Sequence, residues 1–208
     1  MNAPHHPIFD PSLDALKASD PILGKLIERV GACTLPPPAP NPDLFCALVR
    51  AIVGQQISMA AARTIYQRLL DCYDGSSLTP QTLWDTPEER LRGAGISRQK
   101  VAYLKDLAAK MRDGLLVVDR LEAMEDEAII ETLTQVKGVG RWTVQMLLMF
   151  TLGRLDVLPA GDLGVRKAIR QFYALEALPK PKAVEDIARP WQPYRSVAVW
   201  YLWRGLEI

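Results

Sequence analysis

Residues 133–144 read LTQVKGVGRWTV: an amphipathic helical pattern that stops at a tight Gly-x-Gly turn and resumes at once as a second helix. Gly138 and Gly140 lack Cβ atoms, so the turn has access to conformations closed to other residues and a phosphate can approach its backbone. The N–H groups of the following helix start, residues 140–143, then point at an anion, aided by the helix dipole and by Lys137 and Arg141. A Gly-x-Gly alone is more often a plain turn. Set between two amphipathic helices with a base on either side, it reads better as a phosphate site.

Outward from this turn, helical periodicity dominates and no alternating strand or solenoid repeat emerges, so the chain is expected to be all-α. Helices are expected over residues 12–18, 21–31, 42–54, 58–71, 87–93, 97–112, 125–135, 141–152, 163–174, 181–189 and 194–204. Ser58, Ser97 and Asp162 are N-cap candidates, and Gly153 suits a C-terminal stop. The run LPPPAPNP, residues 35–42, cannot be helical and reads as an extended connector. At 208 residues the chain is long enough for its own core, and 49% hydrophobic with 24% charged residues excludes disordered and low-complexity classes. No apolar run approaches the roughly 20 residues of a membrane span, and residues 1–10 lack a signal-peptide pattern. The expected address is cytoplasmic, with no membrane partner. Cys33, Cys46 and Cys72 show neither CxxC nor metal-ligand spacing, so they read as buried thiols, with no disulfide framework or iron–sulfur cluster.

The net charge of +1 conceals an uneven distribution. Residues 90–112 carry seven bases and one acid, residues 113–131 one base and seven acids, and residues 137–208 eleven bases and six acids. Two basic segments around an acidic one suit a molecule with one polyanion-facing surface, although such runs are also ordinary solvated helix faces. Beyond the hairpin, Pro159-Ala160-Gly161-Asp162 leads into LGVRKAIRQFY. The plain reading of Asp162 is an N-cap contributing about 1 kcal/mol. The functional reading is an anion fixed at a helix start beside a reacting group.

VKGVGRWTVQMLLMF followed by LDVLPAGDLGVRKA resembles the helix-hairpin-helix DNA glycosylases with a Gly/Pro-rich loop and aspartate, and within them the 3-methyladenine DNA glycosylase II branch. LVRAIVGQQIS (48–58), LRGAGISRQKVAYLKDLA (91–108) and WQPYRSVAVWYLWR (191–204) are similar to that branch too, so the resemblance spans about residues 40–208. It implies one glycosylase domain over 1–208, made of two helical lobes with the active-site cleft between them. The N-terminal β domain of an enterobacterial relative is not expected in a chain of this length.

By this resemblance, Lys137, Gly138, Val139, Gly140, Arg141 and Thr143 bind the DNA backbone, and the carbonyls of Thr134, Val136 and Val139 match positions that hold a monovalent cation, Na+ or K+. No other cofactor is implied. Asp162 matches the catalytic aspartate. Trp142 stands where bifunctional relatives place a Schiff-base lysine, which implies a monofunctional enzyme without lyase activity. Trp142, Trp203, Gln55, Met146 and Leu163 match base-pocket positions, with Met146 and Leu163 replacing aromatic residues. Aromatic faces there favour cationic alkylated bases. Gln56 matches the wedge that fills the stack when a base is flipped out, where the enterobacterial relative has leucine.

The implied activity is hydrolysis of alkylated purines such as 3-methyladenine and 7-methylguanine from damaged double-stranded DNA, by a monomer, in base excision repair. Bland readings stand beside these: core packing for either tryptophan, and satisfaction of backbone groups near a helix end for Gln55 and Gln56. The Gly-x-Gly of residues 93–95 reads equally as a turn or as a further phosphate contact. The rival functions are a non-catalytic helix-hairpin-helix DNA-binding module and a glycosylase for another lesion class.

Overall fold

The computed structural model describes residues 7–37, 42–73, 77–117, 121 and 123–208. These are helical throughout, without strands, as the periodicity requires. Within them no helix is long and apolar enough to cross a membrane. The chain divides into two compact units, Pro40–Leu147 and Met1–Ala39 with Leu148–Ile208.

The Pro40–Leu147 unit holds α3 (Leu44–Gly54), α4 (Met59–Asp71), α5 (Pro80–Asp85), α6 (Glu88–Gly93), α7 (Arg98–Arg112), α8 (Asp126–Leu133) and the start of α9 (Arg141–Phe150). Ser58 and Ser97 cap α4 and α7 as expected, accepting from the backbone N–H of Ala61 and Lys100. α5 escaped the sequence reading because six residues are too few to display a period. Its signals were local: Pro80 in the first turn and a reciprocal Thr79–Thr82 capping box. Leu48, Ile52, Leu69, Leu83, Leu104 and Leu107 form the buried centre of this unit.

The other unit holds α1 (Asp10–Ser19), α2 (Pro21–Val30), the end of α9, α10 (Leu163–Phe172), α11 (Pro181–Ile187) and α12 (Arg195–Gly205). α12 is buried from Ser196 to Leu202 without a polar face, so it is the central helix of its unit. Asp20 ties several elements together. One carboxylate oxygen caps α2 through Ile22 and Leu23 N–H, while the other accepts from Trp191 Nε1 at 2.8 Å and from Tyr173 Oη. Four of the expected helices end two residues early: α8 stops at Leu133, α9 at Phe150, with Gly153 beyond it at φ +64°, α10 at Phe172 and α11 at Ile187. Residues 38–41 of the expected connector lie outside the described residues. Cys33 is buried and its thiol is pushed up to about 11 by burial, whereas Cys46 and Cys72 are only half-buried, against expectation.

Candidate DNA interface and active-site aspartate

The hairpin turn is built around Gly138. Its φ of +76° suits glycine, and a Cβ there would stand 2.1 Å from the Tyr103 ring, so α7 and the turn approach each other only because the side chain is absent. Gly140 differs. Its φ is not in the left-handed region, and a Cβ on it would meet nothing within 4 Å, so the fold itself does not require that glycine. The bond from Val144 N–H to Gly140 O opens α9, and the positive end of its dipole therefore begins at the exposed Gly140.

Polar bonds hold the turn from outside. Asp106 Oδ2 accepts the Lys137 backbone N–H at 2.9 Å and the Lys110 ammonium at 2.7 Å. Gln55 Nε2 donates to Gly138 O at 2.8 Å. Arg141 forms a bidentate pair with Glu127 at 2.6 Å for both bonds. Lys137, Gly138, Gly140 and Arg141 are exposed, whereas the side chains of Val139 and Thr143 are buried. For those two, the backbone alone is left to face a phosphate. Among the carbonyls matched to a cation site, Val136 O accepts the Val139 N–H at 3.0 Å and retains a second lone pair. An all-carbonyl donor set suits a hard monovalent ion, and among the described residues no cluster of His, Cys, Asp and Glu competes as a metal site.

Gln55, Gln56, Gly138, Trp142 and Thr143 line one cavity of about 570 Å³ within the hairpin unit, together with Lys100 and Tyr103. The sequence reading missed Tyr103 altogether and counted Lys100 only as one base in a run. Gln56 takes φ +58°, uncommon for a residue with a Cβ, and is exposed. Trp142 is 51% exposed, which removes core packing as its explanation. Met146 is half-buried one turn further along α9. The three lysines among the seven bases of residues 90–112 are held by the protein itself. Lys100 Nζ donates to Val53 O and Gln55 O, Lys105 Nζ to the carbonyls of Leu83, Trp84 and Thr86, and Lys110 to Asp106. The Gly93–Gly95 turn is a turn first: Gly95 has φ +99°, and a Cβ there would press on Ile65 at 3.3 Å.

Asp162, Leu163 and Trp203 belong to the other unit. The loop entering Asp162 is pinned to the start of α12: Ser196 Oγ donates to Arg154 O and accepts from Val157 N–H, and Arg195 Nε bonds Asp156 Oδ1 at 2.7 Å. Asp162 caps α10 through Val165 N–H at 2.8 Å, the plain reading fulfilled. The same oxygen also accepts the Trp203 indole N–H at 2.9 Å. Trp203 stacks on Phe150 with ring centroids 6.1 Å apart. It is thus bound to the aspartate itself, a role that its base-pocket assignment did not contain. Leu163 is 52% exposed beside it in sequence. Trp191, Trp200 and Tyr201 are buried packing residues.

Residues 49–193 match the family of HhH-GPD superfamily base excision DNA repair proteins. A Schizosaccharomyces pombe protein named alkylbase DNA glycosidase-like protein mag2 is 34% identical over 91% of this chain and 90% of its own length. The crystal structure of a DNA-3-methyladenine glycosidase from Bacillus halodurans superposes with a TM-score of 0.82 at 38% identity, covering 94% of this chain and 89% of that one. The S. pombe 3-methyladenine DNA glycosylase in complex with abasic DNA gives 0.77 at 32% identity, covering 95% and 97%.

Proposed function

Because the chain belongs to the HhH-GPD superfamily of base excision DNA repair proteins, we propose that it is a monofunctional glycosylase releasing alkylated purines, 3-methyladenine and 7-methylguanine, from duplex DNA. The observation that carries this reading is Asp162: a carboxylate held at a helix start by two N–H donors, in a chain similar to alkylbase glycosylases.

In the reaction the C1′–N bond breaks, its electron pair leaves with the base, and positive charge develops on the deoxyribose. A fixed carboxylate stabilises that charge. At ~4 Å and an effective dielectric of ~20 one unit charge supplies about 4 kcal/mol, close to three decades of rate. Water then bonds C1′ and gives up a proton, leaving an abasic site. A purine made cationic by alkylation departs neutral and needs little acid assistance. Trp142 has no amine, so no Schiff base forms at its position and the strand stays intact. Its exposed face favours a cationic base by stacking, and Gln56 fills the gap left by extrusion. The hairpin, residues 137–143, binds the backbone of duplex DNA, with Na+ or K+ on the carbonyls of Thr134, Val136 and Val139. A cytoplasmic monomer suffices for all these steps.

The test is release of free methylated bases from methylated duplex DNA by wild type beside Asp162→Asn, with chromatographic identification of the products and a check for strand cleavage. Release by wild type alone, with intact strands, is the expected outcome. Tight DNA binding without release would instead support the binding-module alternative.

A further inference from the structure

Helix α3 ends at Gly54 with backbone carbonyls that have no helical partner, and the chain must then reverse into α4 within a few residues. One side chain from another helix takes up a carbonyl of the last turn, that of Val53, and the carbonyl of the capping residue Gln55. Lys100 Nζ donates to Val53 O at 2.7 Å and to Gln55 O at 2.6 Å, on either side of Gly54. The next residue, Gln56, sits at φ +58°, a conformation with a local cost for any residue bearing a Cβ, so something around it must hold it there. Gln55 meanwhile sends its side chain to Gly138 O at 2.8 Å. The wedge candidate and the phosphate-binding turn are therefore linked through one residue whose backbone is fixed by Lys100. Among the described residues no carboxylate pairs with this half-buried ammonium, and two of its three N–H donors go to these carbonyls.

We propose that Lys100 is a positioning residue for base extrusion: by tying the carbonyls of Val53 and Gln55 it holds the Gln56 turn in its left-handed conformation and sets that turn in register with the Gly138 hairpin. This rests on the glycosylase reading for its consequence, but not for its geometry. An ordinary DNA-binding lysine acts through phosphate, and its loss weakens binding to any sequence. Lys100 acts on the protein's own backbone, so its loss impairs extrusion and leaves general affinity in place.

The test uses the full chain as wild type, Lys100→Met and Lys100→Arg. Amide hydrogen exchange, which requires no activity, is expected to accelerate in Lys100→Met over residues 54–58 and around residue 138, with the remaining helices unchanged. Single-turnover release of methylated base is expected to fall at least about tenfold, the scale of losing charge-assisted hydrogen bonds, while affinity for undamaged duplex stays within about twofold. Lys100→Arg keeps a permanent charge and several donors, and is expected to restore most of both signals. Exchange unchanged in Lys100→Met would overturn the clamp. Faster exchange with undiminished release would overturn its role in extrusion, and lost affinity for undamaged DNA would make Lys100 a phosphate contact instead. A wild type that releases no base would remove the glycosylase reading, and with it the role in extrusion, while the exchange result still decides the clamp.

Discussion

Trp203 Nε1 donates to Asp162 Oδ1 at 2.9 Å, and the same oxygen accepts the Val165 N–H at 2.8 Å. Two donors on one oxygen fix the plane of the carboxylate. In the proposed reaction a freely rotating carboxylate would have to be ordered as the bond breaks, and a pre-oriented one avoids that cost. The indole is in turn held by stacking on Phe150.

Trp203→Phe keeps an aromatic ring to face Phe150 and removes the N–H. Single-turnover base release is expected to drop about ten- to a hundredfold, the rate equivalent of one hydrogen bond to a charged group. The melting temperature is expected to change little, since the aspartate keeps its capping bond to Val165. Equal release rates for variant and wild type would show that the capping bond alone orients Asp162.

Gly164 supplies the space for that contact. A Cβ there would stand 3.0 Å from Asp162 Oδ1 and 3.0 Å from both Cδ1 and Nε1 of Trp203, closer than these atoms tolerate without moving. Gly164→Ala ordinarily favours a helix by about 1 kcal/mol, so stability is expected to hold or rise slightly while base release falls about tenfold. Thermal melts and single-turnover rates on one preparation separate the two effects.

How much of this was legible beforehand follows from which interactions leave a local pattern. The hairpin, Asp162 and the caps at Ser58 and Ser97 are read directly because a turn, a cap and a helix period are all encoded within a few residues. The partners of those residues are not. Trp203 reaches Asp162 across 41 residues and Gln55 reaches Gly138 across 83, and no local spacing announces such a bond. The basic run was only partly legible for the same reason. Composition counts Lys100, Lys105 and Lys110 as charge, whereas packing turns them onto carbonyls and a carboxylate. Tyr103 stayed invisible because its importance lies in what Gly138 lacks.

The two hairpin glycines separate folding from binding. Gly138→Ala must accommodate a Cβ against the Tyr103 ring at φ +76°, and is expected to cost at least about 2 kcal/mol of stability as well as DNA affinity. Gly140→Ala meets no protein atom within 4 Å, so its melt should match wild type. If a phosphate approaches that backbone closely, its affinity for duplex DNA nonetheless falls, irrespective of sequence. Wild-type affinity in Gly140→Ala, measured across a salt titration, would count against a backbone contact at that residue.

Asp106 makes the hairpin's anchorage depend on pH in a definite direction. Burial alone would raise its carboxyl, but hydrogen bonds from the Lys110 ammonium and the Lys137 backbone N–H, with the charges of both lysines, outweigh burial and hold it below the ordinary aspartate range. A carboxylate whose folded pKa is depressed contributes stability above its unfolded value, about 3.9, and loses that contribution as pH falls through the folded value. Asp106→Asn is therefore expected to cost about 1 to 2 kcal/mol at neutral pH, with a gap to wild type that is flat down to about pH 5 and closes only in more acidic solution. Denaturant melts of both proteins across that range measure the gap directly. A gap that widened toward acid would mean that Asp106 is held protonated in the fold and that the Lys137 N–H is not bound by a carboxylate.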